Sequence, residues 1–207
     1  MSSSIERKLS AIVFTDIVGY TELSANDEES AFRLIEIQRE IVKPIVEEFD
    51  GNWLKEMGDG LLLSFPSSIQ AVQCAIKIQT AIKPLNNLNL RIGIHQGDIL
   101  QKGDDIFGDD VNIASRIQTV SPIGEIAISQ KVEADISSHP KFHTDYIGSP
   151  KLKGVKQDIK VYSVSYKNEN VQASIPKQEA LKNSGILNTS MVGIIITVLI
   201  SILLLYK

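Results

Sequence analysis

The sequence predicts an α+β fold in which a split βαβ arrangement of strands builds an antiparallel sheet. Three observations point to it. The predicted elements follow the order strand, helix, hairpin, helix, strand. The first strand, residues 9–15 (LSAIVFT), is almost wholly apolar, as a central strand is. Hydrophobic residues make up 43% of the 207-residue chain and charged residues 22%, which suits a globular domain with a substantial core rather than a disordered segment.

A long helix is predicted after the first strand, over residues 27–49. Asn26 or Asp27 can cap its N-terminus, and Pro44 lies inside it. Apolar residues recur along it at helical spacing: Phe32, Ile35, Ile41, Ile45 and Phe49. Because a helix crosses between them, the first and second strands are expected to run parallel.

A hairpin is predicted next, with strands at 53–57 and 61–65 around the turn Gly58-Asp59-Gly60. Ser67 or Ser68 then caps a second helix. The later elements are predicted from their apolar patterns: a strand at 90–94, a helix at 109–119, a strand at 126–129 and a late strand at 159–165.

The charge balance and the cysteine count exclude some classes of protein. The chain has 21 Lys and Arg against 25 Asp and Glu, for a formal net charge of −4. Nucleic acid is therefore not expected as the main partner, since phosphate neutralisation requires a surplus of positive charge. The single Cys74 excludes an intrachain disulfide and favours a reducing compartment. Residues 1–10 lack the apolar run of a signal peptide, so none is expected.

The composition divides the chain into four parts. A tail at 1–8 precedes a globular domain at 9–166, a polar linker follows at 167–185, and residues 186–206 are strongly apolar. As a helix, the last part would be about 31 Å long, enough to cross a hydrocarbon core of ~30 Å. We expect a C-terminal transmembrane helix; a buried core helix, or one that packs only in an oligomer, is the alternative.

The lysines around the apolar segment give it an orientation. Lys177 and Lys182 precede it, and Lys207 alone follows it. Positive residues favour the cytoplasmic side of a membrane. The expectation is a single-pass anchor in the cell membrane with the large domain in the cytoplasm.

Two aspartates are brought together by the predicted topology. Asp16 directly follows the first strand, and Asp59 lies at the hairpin tip, which falls beside the end of that strand. Two such carboxylates repel each other unless a cation lies between them. Hard divalent cations take oxygen ligands, and Mg²⁺ usually shares them with substrate phosphates. The alternative is that each aspartate serves only its own turn.

The sequence resembles the class III nucleotide cyclases, catalytic domains that convert ATP or GTP to the cyclic 3′,5′-monophosphate. The resemblance covers residues 9–166 and is closest to bacterial-type adenylate cyclases. It implies the ferredoxin-like or palm-like split βαβ cyclase homology fold. The matching segments, in chain order, are AIVFTDIVGY at 11–20, KEMGDG at 55–60, RIGIHQGD at 91–98 and DIFGDDVNIASR at 105–116, with weaker support from 124–129 and 151–154.

The resemblance implies a role for each matching residue. Asp16 and Asp59, with the Ile17 carbonyl, correspond to the ligands of two Mg²⁺ or Mn²⁺ ions per site. Lys55 and Asp105 correspond to the pair that recognises the purine. An ammonium donor and a carboxylate acceptor suit adenine, which offers a ring nitrogen and an amino group. A guanine site needs the reverse polarity, so ATP is the expected substrate.

Three further residues complete the implied site. Asn112 corresponds to the residue that orients the ribose, and Arg116, four positions later on the same helix face, to the arginine that stabilises the transition state. Lys153 is the candidate for the lysine that contacts the triphosphate, with Lys156 as the alternative. The ribose 3′-hydroxyl would attack the α-phosphate and expel pyrophosphate, assisted by the two metal ions.

The resemblance also implies a homodimer whose two sites are shared. Asp16 and Asp59 would come from one protomer, and the purine, ribose and transition-state residues from the other; one chain carrying every role can form two equivalent sites. The alternatives are a guanylate cyclase, a cyclic dinucleotide synthase, and a catalytically silent, membrane-tethered nucleotide-binding module. His95, His139 and His143 lack metal-ligand spacing and are expected to be structural or exposed, and Asp110 to be a helix N-terminal charge.

Overall fold

One mixed sheet of eight strands, with five helices, accounts for the residues that the computed structural model describes, 5–103 and 105–166. The elements in chain order are β1 (Glu6–Ile17), α1 (Tyr20–Asn26), α2 (Glu28–Glu48), β2 (Asn52–Met57), β3 (Gly60–Phe65), α3 (Ser68–Ile82), β4 (Leu90–Lys102), β5 (Asp105–Phe107), α4 (Asp109–Val120), β6 (Ile126–Ser129), α5 (Gln130–Ile136), β7 (Phe142–Gly148) and β8 (Val161–Tyr166).

The strand order shows that the sheet is mixed, so the expectation of an antiparallel sheet was wrong in one place. The order is β2-β3-β1-β4-β6-β8-β7, with β5 paired to β4. The strand pairs are antiparallel except β4 with β6, which is parallel. The reason is the crossover: the chain between these two strands passes through α4 and so returns to the same end of the sheet. The predicted placement of β3 beside β1 is confirmed.

The two central strands are longer than the sequence indicates. β1 and β4 pair without interruption from Glu6 opposite Gln101 to Ile17 opposite Leu90, whereas strands were predicted only at 9–15 and 90–94. The apolar runs mark only part of each strand, and β4 stays buried beyond Ile94, at His95, Gly97 and Ile99. The residues that extend the two strands beyond the predicted ranges are mostly polar. They are in strand conformation because β1 and β4 hydrogen-bond to each other along their whole length. Residues 6–8 therefore belong to the sheet rather than to a tail.

The helices cover both faces of the sheet. Helices α2, α3 and α5 pack on one face, where the main core includes Val13, Ile17 and Leu63. Helix α4 packs on the other face, over a cluster that includes Ile12 and Phe14. Because side chains alternate along a strand, Asp16 follows Ile12 and Phe14 onto the face that carries α4.

The predicted helix caps are confirmed. Asp27 caps α2 by accepting a hydrogen bond from the Ser30 amide at 3.0 Å, and Ser67 caps α3 by accepting from the Gln70 amide at 3.2 Å. Four elements were not predicted: α1, β5, α5 and β7. Each contains at most two buried residues, so no apolar run or period marks it in the sequence.

Two predicted segments lie outside the described residues: the linker at 167–185 and the membrane anchor at 186–206. Asp104 lies outside them as well. Between residues 5 and 166, Asp104 excepted, no helix has both the length and the apolar character needed to cross a membrane. The anchor therefore stays a prediction.

Candidate active site

The tip of the β2–β3 hairpin is fastened to the end of β1. The Ile17 amide donates a hydrogen bond to Oδ2 of Asp59 at 3.0 Å. From α2, the buried Gln38 side chain donates Nε2 to the Asp59 carbonyl at 3.1 Å. A Cβ at Gly60 would lie 2.9 Å from the Thr15 carbonyl, so the close approach of the hairpin requires glycine there. These contacts bring Asp59 beside Asp16.

The electrostatics of this pair favour a bound cation. Burial raises the pKa of Asp16 most, and the neighbouring carboxylate of Asp59 raises it further. Two smaller effects lower this pKa: the charge of Arg91, which lies opposite Asp16 in the β1–β4 register, and a hydrogen bond from Gln118. A positive ion between the carboxylates would relieve both the repulsion and the cost of burying a negative charge.

The donor set fits Mg²⁺ or Mn²⁺. Two carboxylates and the Ile17 carbonyl are hard oxygen donors, which both ions accept. Among the described residues, no group of three or more His, Cys, Asp and Glu side chains could hold a metal ion. A pair of carboxylates leaves coordination positions for water and substrate phosphates, as is usual for Mg²⁺.

Lys55 and Asp105 form an ion pair within one chain. The Lys55 Nζ lies 3.3 Å from Oδ1 of Asp105, and the side chains are 56% and 59% exposed. Such an exposed pair contributes little to stability. Lys55 lies opposite Leu62 in the β2–β3 register, and Leu62 packs in the cluster under α4. The pair therefore lies on the same face of the sheet as Asp16.

A second ion pair fixes the strand that carries Lys55. Arg39 of α2 donates from Nε and Nη2 to the two carboxylate oxygens of Glu56 at 2.9 and 2.7 Å. Glu56 follows Lys55 and so points to the opposite face. The bidentate pair holds the edge strand β2 against α2, and this leaves Lys55 directed to the α4 face.

Asn112 and Arg116 lie one turn apart on α4. Ile113, Ala114 and Ile117 form the buried side of this helix. Asn112 is exposed and Arg116 partly exposed, so both are accessible to a ligand on that face of the sheet.

The predicted triphosphate lysine lies on an exposed loop between β7 and β8. Lys153 and its alternative Lys156 are both exposed, and neither takes part in an ion pair with any residue that the structure describes. Buried Leu152 and Ile159 pack in one cluster with Ile113 of α4. The loop is thus fixed near α4, but the structure brings neither lysine into contact with Asp16 or Asp59.

Three residues at this site were not identified from the sequence: Arg91, Gln38 and Gln118, which hydrogen-bonds Asp16 from α4. Arg91 is the second residue of β4, among buried residues, and an arginine there is a weak signal. Only the β1–β4 register places it opposite Asp16. Gln38 lies on the buried side of α2, and a polar residue at an apolar position could have marked it. Its target, the Asp59 carbonyl, depends on tertiary packing.

These features define an α+β domain that holds a pair of acidic residues beside the α4 face of its sheet. The family model for the adenylate and guanylate cyclase catalytic domain matches residues 5–166. The chain therefore belongs to the adenylate and guanylate cyclase catalytic domain family.

Among curated relatives, the chain is 33% identical over 196 residues to "Putative adenylate cyclase 3" of Rhizobium meliloti (strain 1021), covering 87% of this chain and 33% of that protein. It is 28% identical over 163 residues to a pH-sensitive adenylate cyclase of Mycobacterium tuberculosis (strain CDC 1551 / Oshkosh), covering 74% of this chain and 40% of that protein. The chain thus spans well under half the length of these relatives.

Solved structures share the fold. The adenylate/guanylate cyclase/hydrolase from Silicibacter pomeroyi is 31% identical with a TM-score of 0.72, covering 77% of this chain and 98% of that one. The adenylyl cyclase CyaB from P. aeruginosa is 26% identical with a TM-score of 0.73, covering 81% and 99%. The predicted cyclase homology α+β fold is confirmed, with a mixed sheet.

Proposed function

We propose that this chain is an adenylate cyclase that converts ATP to 3′,5′-cyclic AMP and pyrophosphate. The hydrogen bond from the Ile17 amide to Asp59, which places Asp59 beside Asp16, supports this reaction most directly. The pKa of Asp16 is raised by burial and by Asp59, and a cation bound between the two carboxylates would relieve this. The curated relatives named as adenylate cyclases support the same reaction.

The chain's own residues supply the groups that the reaction needs. Asp16, Asp59 and the Ile17 carbonyl would hold two Mg²⁺ or Mn²⁺ ions. When bound, such ions lower the pKa of an attacking hydroxyl and neutralise the charge of the leaving pyrophosphate. Arg116 supplies a planar, permanently charged donor for the α-phosphate oxygens, on which charge grows in the transition state.

The exposed Lys55–Asp105 pair supports ATP over GTP. An ammonium group donates to a ring nitrogen of adenine, and a carboxylate accepts from its amino group. Guanine presents a ring N–H where adenine has its ring nitrogen acceptor, and a carbonyl where adenine has its amino group. Lys55 would then face a donor and Asp105 an acceptor, so neither contact could form. Asn112 can orient the ribose through its amide, which both donates and accepts.

The proposal includes a homodimer with two shared sites. Asp16 and Asp59 of one protomer would meet Lys55, Asp105, Asn112 and Arg116 of the other. Co-expressing Asp16→Ala chains with Arg116→Ala chains should then restore up to one working site per heterodimer. No recovery would contradict shared sites.

One assay tests the reaction itself. The purified full chain is incubated with ATP or GTP, in Mg²⁺ or Mn²⁺, and cyclic AMP, cyclic GMP and pyrophosphate are measured. Cyclic AMP from ATP is expected. Preferential formation of cyclic GMP would make the chain a guanylate cyclase, and no turnover under any condition would favour a silent nucleotide-binding module.

The proposal also places the enzyme at the cell membrane, anchored by residues 186–206, with the catalytic domain in the cytoplasm. The apolar composition of this segment supports it. The full chain should sediment with lipid vesicles, and a chain ending at residue 182 should not. Equal sedimentation of the two chains would contradict the anchor.

If the anchor also favours pairing by confining the chain to two dimensions, the shortened chain should need a higher protein concentration to reach half-maximal specific activity.

A further inference from the structure

Asp110, in the first turn of α4, fastens this helix to the middle of β4. Its Oδ1 accepts a hydrogen bond from Nε2 of His95 at 2.9 Å, and its Oδ2 accepts one from the Asp98 amide at 3.0 Å. Lys131, at the start of α5, places its Nζ 3.3 Å from Oδ1. One carboxylate thus joins α4 to two positions of the central strand and to the next helix.

The strand is shaped to receive this carboxylate. A Cβ at Gly97 would overlap the side chain of Asp110, so a residue larger than glycine would displace the helix or the carboxylate. Burial opposes ionisation of Asp110, but the hydrogen bond from His95 and the charge of Lys131 together lower its pKa. Asp110 is therefore charged at neutral pH.

His95 has no polar partner besides this carboxylate among the described residues. Its side chain is 1% exposed, and its Nδ1 has no hydrogen-bond partner within the described part of the chain. Burial lowers the pKa of His95 despite the opposing effect of Asp110, so the ring is neutral with its proton on Nε2. A buried polar ring with a single contact indicates that holding Asp110 is what this histidine does.

We propose that Asp110, held by His95 and the Asp98 amide, is a positioning residue that sets where Asn112 and Arg116 meet the nucleotide. This inference rests on the proposed cyclase function. Asn112 lies two residues beyond Asp110 and Arg116 six, so a rigid helix transmits any shift of its first turn to both. A displacement of 1 Å can cost about 10²-fold in rate.

Steady-state kinetics of the full chain test the positioning role. Asp110→Ala should lower kcat for ATP by about 10–10²-fold, while KM changes much less. The kcat of Asp110→Asn, which keeps one acceptor oxygen, should fall between those of Asp110→Ala and wild type. The matched control is Asp109→Asn, because it removes the neighbouring carboxylate from the same helix terminus. An Asp110→Ala chain with the kcat of this control would overturn the proposal.

Complementation separates local positioning from general damage. Asp110→Ala chains are co-expressed with Asp16→Ala chains or with Arg116→Ala chains, and heterodimers are purified through two tags. Recovery to about half of wild-type activity is expected only with Asp16→Ala, since that partner supplies an intact α4. Equal recovery with both partners, or recovery only with Arg116→Ala, would overturn the proposal. Loss of recovery in the Asp16→Ala with Arg116→Ala control would instead contradict the shared site.

Amide hydrogen exchange gives a readout that needs no turnover. In Asp110→Ala, the amides of residues 111–116 should exchange faster than in wild type, whereas those of α3 should not change. Unchanged exchange in α4 would overturn the proposal even if the chain had no cyclase activity. An inactive wild-type chain with faster exchange in the variant would contradict the proposed function and leave Asp110 as the residue that positions α4.

Discussion

The amide of Ile17 donates a hydrogen bond to the carboxylate of Asp59 at 3.0 Å, joining the end of β1 to a hairpin tip 42 residues further along the chain. This bond fixes one carboxylate next to the residue that precedes Ile17, which is Asp16. Two negative groups are therefore held close together by the backbone before any ligand arrives. Such preorganisation is what a phosphoryl-transfer site requires, because groups that are already in place need no reorganisation during the reaction.

We expect Asp16→Asn to abolish cyclase activity and to stabilise the metal-free protein. The folded-state pKa of Asp16 is raised from 3.8, so the native state binds this proton more readily than the unfolded chain. Ionisation above that raised pKa therefore costs native stability, and asparagine removes the cost. Each 1 kcal/mol gained would raise Tm by about 2–4 °C.

Thermal melts in a chelator, followed by titration with Mg²⁺, measure this effect. The Asp16→Asn chain should melt higher than wild type in chelator and gain less from added Mg²⁺. Asp109→Asn serves as the control for loss of a negative charge. A lower Tm for Asp16→Asn in chelator would contradict the predicted repulsion.

Exchanging Lys55 and Asp105, the pair proposed to read the purine, should change nucleotide preference. In Lys55→Glu combined with Asp105→Ser, the donor and acceptor pattern fits guanine rather than adenine. The ratio of kcat/KM for ATP to that for GTP should fall by about 10²-fold or more, because unpaired polar groups discriminate strongly. Lys43→Glu, an exposed lysine of α2, is the control for the charge change. An unaltered ratio would show that this pair does not read the base.

Removing the guanidinium of Arg116 should lower kcat without a matching change in KM. Loss of one preorganised donor to a developing charge typically costs about 10²–10³-fold in kcat. Arg116→Lys should recover only part of this, since lysine lacks the planar fork. Arg33→Ala, which removes an exposed arginine paired with Glu29 on α2, should keep wild-type kinetics. A rise in KM with kcat unchanged would indicate that Arg116 binds the ground state instead.

Protein stability should fall as the pH drops below 6.5, in part because of His95. Burial lowers the pKa of His95 from 6.5 in the folded state, so below that pH the unfolded chain takes up a proton that the native state does not. The free energy of unfolding therefore decreases as the pH is lowered from 6.5 to the folded-state pKa of His95. His95→Gln should flatten this slope in urea melts at several pH values. Equal slopes in wild type and His95→Gln would contradict the assignment.

The long elements and their caps were predictable because their signals are local. The apolar run of β1, the Asp27 and Ser67 caps and the glycine-flanked turn at Asp59 each involve a few neighbouring residues. The elements α1, β5, α5 and β7 escaped prediction, since each has at most two buried residues and therefore no apolar run to mark it. The parallel pairing of β4 with β6 also escaped, because it depends on which way a crossover returns.

What the sequence determined by itself is the chemistry: which residue types are present, in which order, and in which family that order occurs. Only the tertiary structure decided which of them meet. Arg91 lies opposite Asp16 through the β1–β4 register, Gln38 reaches the Asp59 carbonyl from α2, and Asp110 reaches His95 across α4 and β4. The physical reason is that strand register and helix packing are fixed by the burial of the whole apolar core. That burial depends on residues far apart in the chain, so no local sequence pattern shows it.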